Sequence, residues 1–168
     1  MEINKLNALT KKMSGFLLFV FFFLPILVGK LSLLLKIHDL QFIDGWKNFY
    51  KAAWGDAGGY DVTVLSSLIL SPLVVIWVRA DSDVKEIDNK SKAFALGVCG
   101  LFIASILSIV LVLALPVSSI ENPTKGIRLI ILLGKSHFLF GLGYGIMVAA
   151  CVVMAYGSVA ILRQVFKK

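Results

Sequence analysis

The sequence is poor in the residues from which catalytic and metal centres are assembled. Only 16% of it is charged, against about 25% in an ordinary globular domain, and it holds ten acidic residues, two histidines and two cysteines among 168 residues. No His, Cys, Asp or Glu cluster has ligand spacing, and no glycine-rich phosphate loop appears. Cys99 and Cys151 both lie inside apolar stretches, where neither a disulfide framework nor a zinc site is expected. Basic runs interleaved with aromatics are missing too, so the formal charge of +7 does not point to nucleic acid. No enzymatic activity, cofactor or nucleic-acid partner is expected.

What the sequence has is apolar surface. Apolar residues make up 58% of the chain and the mean hydropathy is +0.89. A globule this small cannot hide that many apolar side chains from water, so lipid must cover much of the surface.

The hydrophobic runs place four crossings. The first, 14–35, follows Lys11 and Lys12 and contains Pro25 and Lys30; its 22 residues extend about 33 Å, enough to span. It begins like a signal peptide, but no small-residue cleavage site follows, so it reads as an uncleaved anchor. The second is 62–78, with Ser66, Ser67, Ser71 and Pro72 inside it, and the third is 93–115, closed by Pro116. A fourth apolar region begins near Ile127 and is broken by Lys135, Ser136 and His137. Polar groups are costly at bilayer depth, so the crossing is expected at 138–162, with 127–134 at or near the surface.

Between the first two crossings, 36–61 is polar yet rich in aromatics. Counting from Phe42, Trp46, Phe49, Tyr50 and Trp54 fall at offsets of four, seven, eight and twelve, which is one face of a helix. Such a helix suits the membrane interface, rings in lipid and polar edges in water. Gly55 to Gly59 then forms a turn. The loop 79–92 carries mixed charge. Lys and Arg divide ten to seven between the two sides, a bias that puts both termini and the 79–92 loop in the cytoplasm and the aromatic segment outside. The fold class expected is thus an all-α membrane protein, a polytopic single-domain bundle of four transmembrane helices with a short interfacial aromatic helix between helices 1 and 2.

Small residues recur at four-residue steps. Gly141, Gly145, Ala149 and Gly157 share a face of the fourth crossing, and Gly100, Ala104 and Ser108, with Gly97 nearby, share one of the third. Close backbone approach at such faces drives helix association in lipid, either between these two helices or with a foreign span. Asp56 and Asp61 beside Gly58 and Gly59 read as a polar turn, and His38 and His137 as interfacial side chains without a partner.

In size, four-span layout and lack of a reactive site the chain resembles small bacterial inner-membrane proteins that act by binding, among them immunity proteins against pore-forming toxins and plasmid or phage exclusion proteins. The resemblance is of architecture and carries no residue assignments. It implies a bacterial inner-membrane location and a non-enzymatic protein whose partners are the lipid bilayer and another integral membrane protein, with a homo-oligomer as a further arrangement. The other readings are a small channel or transporter subunit, lined by Ser66, Ser67, Ser71, Ser105 and Ser108, and a lipid-modifying enzyme using Asp56 or Asp61.

Overall fold

The computed structural model describes residues 2–36, 44–55, 58–81, 87 and 89–166, the side chains of 2–12 and of 81 excepted. Six helices account for nearly all of it: α1 (Glu2–Leu34), α2 (Asp44–Trp54), α3 (Tyr60–Asp81), α4 (Lys90–Leu113), α5 (Lys125–Gly134) and α6 (His137–Phe166), with a 3-10 turn at Val117–Ile120 between α4 and α5. Four are long and apolar enough to cross a membrane, at Met13–Leu34, Tyr60–Ala80, Lys90–Leu113 and His137–Phe166, with mean hydropathy between 2.0 and 2.8. The bundle of four membrane-spanning helices and the short aromatic helix between the first two are therefore present as expected. Phe42, the first residue of the expected aromatic face, lies outside the described residues.

Local chemistry explains the element ends. Asn89 caps α4, its side chain accepting from Lys92 N at 3.1 Å, and Thr124 caps α5 in the same way through Ile127 N, each answering an N–H that the first turn leaves free. Helix α2 stops at Gly55, whose φ of +76° is open to glycine at no steric cost, and Gly59 with the same φ turns the chain into α3. At its C-terminus α4 ends less comfortably. Ala114 takes φ 64° and ψ −172°, a region that is essentially glycine's and costs another residue about 1–3 kcal/mol.

The helices pack as a triangle of α1, α3 and α6 with α4 laid against α6. α1 lies along α3, α6 touches α1, α3 and α4, and α4 rests on α6 with little contact to α3. Gly97 and Gly100 of α4 meet Leu162 and Ser158 of α6, while Tyr144 near the start of α6 reaches Leu111 near the end of α4, so these two helices run antiparallel. With four crossings, both ends of the described chain fall at one end of the bundle, and α2, the 3-10 turn and α5 fall at the other. α4 is the least enclosed crossing, with 17% of its apolar window buried. Its outer stripe of Phe94, Val98, Phe102, Ile109 and Val112 is left to lipid.

Candidate functional site

At the capped end of the bundle, aromatic and polar side chains from α2, α3, α5 and α6 converge. Trp46, Phe49 and Tyr50 of α2 are 1%, 0% and 0% exposed. The face expected to lie in the lipid interface is thus turned inward, against Phe140 and Tyr144 of α6. Edge-to-face and offset-stacked rings gain beyond their buried area, and the contacts here are of that kind. Tyr50 stacks on Trp46 at 5.6 Å and on Trp54 at 4.9 Å, and Trp54 stacks on Tyr60 at 4.9 Å. The Phe140 ring stands edge-on to all four, 5.1 Å from Tyr60, 5.3 Å from Tyr50, 5.5 Å from Trp54 and 6.0 Å from Trp46.

The reason α2 docks rather than floats is polar as well as apolar. In an unbroken helix Leu111 O would accept from Leu115, which lies beyond the end of α4. Trp46 Nε1 and Tyr144 OH both donate to that carbonyl instead, each at 2.8 Å, so two rings close the helix end. The approach requires Gly45, where a Cβ would collide with the carbonyl of Leu113. It also brings the N-terminus of α2 to the C-terminus of α4, a favourable meeting of opposite helix-dipole ends. Trp54 and Tyr60 hold α5 likewise. Trp54 Nε1 donates to Ile131 O at 3.4 Å and Tyr60 OH to Gly134 O at 2.8 Å, while the ring of Trp54 occupies the space of the missing Gly134 side chain. Segment 127–134 is accordingly part of a separate surface helix, with Leu129 and Leu132 exposed and Gly134 buried.

Beside the rings lies a polar knot. Thr63 Oγ1 is 2.9 Å from Gly59 O and 2.9 Å from His137 Nε2, which is itself 3.3 Å from Gly59 O. Gly29 of α1 lies directly against it, since a Cβ there would overlap Thr63 and crowd Gly59 and His137. His137, expected without a partner, therefore has two; the sequence places Thr63 74 residues away, too distant for a spacing argument. Asp61 is fully buried in the first turn of α3 and accepts from Val62 N. Burial pushes the Tyr50 hydroxyl above its usual pKa, with Tyr144, Asp61 and Tyr60 adding to the effect, so the ring stays neutral. Chemically the knot positions helices: the Thr63 hydroxyl, His137 Nε2 and the Gly59 carbonyl engage one another, while His137 Nδ1 is buried without a hydrogen-bond partner. Asp56 and His38 lie outside the described residues.

The small-residue faces pack against different neighbours. Gly97, Gly100, Ala104 and Ser108 form the seam of α4 on α6, where Ser108 Oγ and Cys151 Sγ are 3.1 Å apart and Cys151 also donates to Ala104 O at 3.4 Å. Gly141 and Gly145 are buried and face α1, against Ile26 and Phe22, rather than α4 or the bundle surface. A foreign span cannot enter there while α1 is in place. Ala149 is half-buried, and a side chain at Gly157 would meet nothing within 4 Å. The sequence pattern did not single out Gly29, Gly45 or Gly134, whose close neighbours come from other helices. Of the five serines, Ser66, Ser67, Ser105 and Ser108 donate to carbonyls one turn back in their own helices.

No family model matches the sequence, and comparison with curated proteins and with solved structures finds no significant match.

Proposed function

We propose that the protein is a non-enzymatic binding module of a bacterial inner membrane, with both termini cytoplasmic, that recognises another integral membrane protein from the outer side in the manner of an immunity or exclusion protein. The observation that carries this reading is the fixed seating of α2. Its aromatic face is bonded to the bundle, so its opposite face, with Asp44, Asn48 and Lys51 exposed, is held in one orientation before any partner arrives. Preorganisation of that kind removes an ordering cost from binding. At the same end the exposed bases Lys30, Lys36, Lys51, Lys125, Arg128 and Lys135 outnumber the exposed acids Asp44 and Glu121 among the described residues, which favours a partner with an acidic extramembrane surface. The thinly packed α4 offers a second contact, within the membrane, to a helix of the same partner.

The test is photocrosslinking in native membranes from positions that face outward, Asn48 on α2 and Phe102, 67% exposed on α4. Trp46 and Gly145 are unsuitable because both are buried. The reading expects one foreign integral membrane protein at Asn48, lost from the adduct when that protein is deleted from the cells and weakened when Lys51 and Arg128 become Glu. Adducts made only of the protein's own copies would refute it in favour of a homo-oligomer.

A further inference from the structure

The two ends of the bundle are packed differently. At the capped end, α3 and α6 are joined by Thr63, His137 and Gly141. Toward the end that holds the termini a groove of about 320 Å³ runs along α6, lined by Val152, Ala155, Tyr156, Val159 and Arg163, with Val75 of α3 at its border. A shallower hollow of about 390 Å³ lies on the far flank of the same ridge and shares Val159 and Arg163. Arg163 thus borders two apolar hollows.

Depth and size decide what fits. From His137 to Arg163 α6 rises about 39 Å, more than the roughly 30 Å hydrocarbon layer but within the 40–45 Å that includes head groups. Arg163 therefore stands at head-group level. Val152 lies about 16 Å deeper, so the slot is as long as one leaflet's share of the hydrocarbon is thick, about 15 Å. A polymethylene chain 4–5 Å across needs roughly 200–320 Å³ over that length, which the groove supplies. The guanidinium presents a fork of donors suited to a phosphodiester, and Arg79, exposed in the last turn of α3, adds positive charge at the same end.

We infer that this is a binding site for an anionic phospholipid, its phosphate at Arg163 and an acyl chain in the groove along α6. The lipid completes packing that protein alone leaves open. Its polar contact is with a base at head-group depth, the usual place for anionic lipid to be held electrostatically.

The experiment is native mass spectrometry of the full chain, purified in neutral detergent and equilibrated with equimolar phosphatidylglycerol and phosphatidylcholine of identical chains. The expected result is one retained phosphatidylglycerol, favoured about fivefold, the scale set by one base near the surface. Arg163→Gln should abolish the preference while leaving some lipid bound. Ala155→Phe, which fills the cleft without changing charge, should reduce retention of both lipids. Helicity and detergent melting of the variants confirm folding; because Arg163 is exposed, its substitution is expected to fold. Equal retention of the two lipids by the native chain, an undiminished preference in Arg163→Gln, or a lipid-free dimer or foreign helix in the cleft would each overturn the assignment.

Discussion

The shared carbonyl at the end of α4 makes a sharp energetic prediction. Trp46 Nε1 and Tyr144 OH each donate to Leu111 O, and both side chains are buried, at 1% and 0% exposure. Replacing either by Phe keeps an aromatic ring and leaves the carbonyl one partner. Tyr144→Phe should therefore cost about 1 kcal/mol, the net worth of one hydrogen bond. Trp46→Phe should cost about 2 kcal/mol, because the smaller ring also gives up packing. The double variant loses both donors and leaves the buried acceptor unsatisfied, which adds a desolvation penalty of about 1–3 kcal/mol. The sum of the singles is about 3 kcal/mol, so the double should lie near 4–6 kcal/mol. The cycle is read from reversible unfolding of the full chain in mixed micelles by circular dichroism, and contacting residues commonly show coupling of this size. A double variant within 0.5 kcal/mol of additivity would refute the argument that these two rings cap one carbonyl.

Other expectations follow from single positions. Ala114→Gly should raise stability by about 1 kcal/mol in the same assay, since relief of φ 64° exceeds glycine's entropic cost. Gly134→Ala should loosen α5 and speed amide exchange there, because the new Cβ would overlap the Trp54 ring; Trp54→Ala should remove most of the difference between Gly and Ala at 134. Gly45→Ala should release α2 by collision with Leu113 O, seen as increased exposure of Trp46 to an aqueous fluorescence quencher, whereas Gly126→Ala, with nothing within 4 Å, should leave it unchanged. In mild detergent a detergent-partitioning maleimide should modify Cys99, exposed on α4, before the buried Cys151, so Cys99→Ser should abolish the faster phase.

Hydropathy made the crossings legible because lipid imposes a length and forbids charge, and these constraints act on contiguous sequence. The expected 62–78 and 138–162 became the longer Tyr60–Asp81 and His137–Phe166 because helices continue past the hydrocarbon into head groups, where polarity no longer marks their ends. The aromatic helix was legible as a helix, from offsets at period 3.6, but the surface its face covers was not. Periodicity says that one face is apolar; it does not say whether lipid or protein lies against it. Deciding that needed the open carbonyl of Leu111, 65 residues from Trp46, with Phe140 and Tyr144 farther still, all on other spans. The same holds for small residues. Gly97 and Gly100 did mark a seam, but Gly141 and Gly145 turned to α1, and Gly29 became a contact point through Thr63 and His137, partners that no local pattern names.

The concentration of aromatic rings at one end of the bundle has a physical cause that also orders the functional readings. Within hydrocarbon, apolar side chains gain little by leaving lipid for protein, so association rests on close packing and hydrogen bonds. At the interface water is near, and burial of large rings regains the driving force it has in soluble proteins. The protein concentrates Trp46, Tyr50, Trp54, Tyr60, Phe140 and Tyr144 at one end, where that force operates, and leaves Val75, Val152 and Val159 facing open space at the other, where lipid can fill the gap at little cost. A partner that reads α2 therefore meets a rigid surface, whereas anything that senses the lipid acts on the compliant end. The two proposals are separable for that reason. Arg163→Gln should leave the Asn48 crosslink intact, and charge reversal at Lys51 and Arg128 should leave lipid selectivity intact; if either variant changed both readouts, the two ends would be coupled through the α3 and α6 pair and the rigid-cap account would fail.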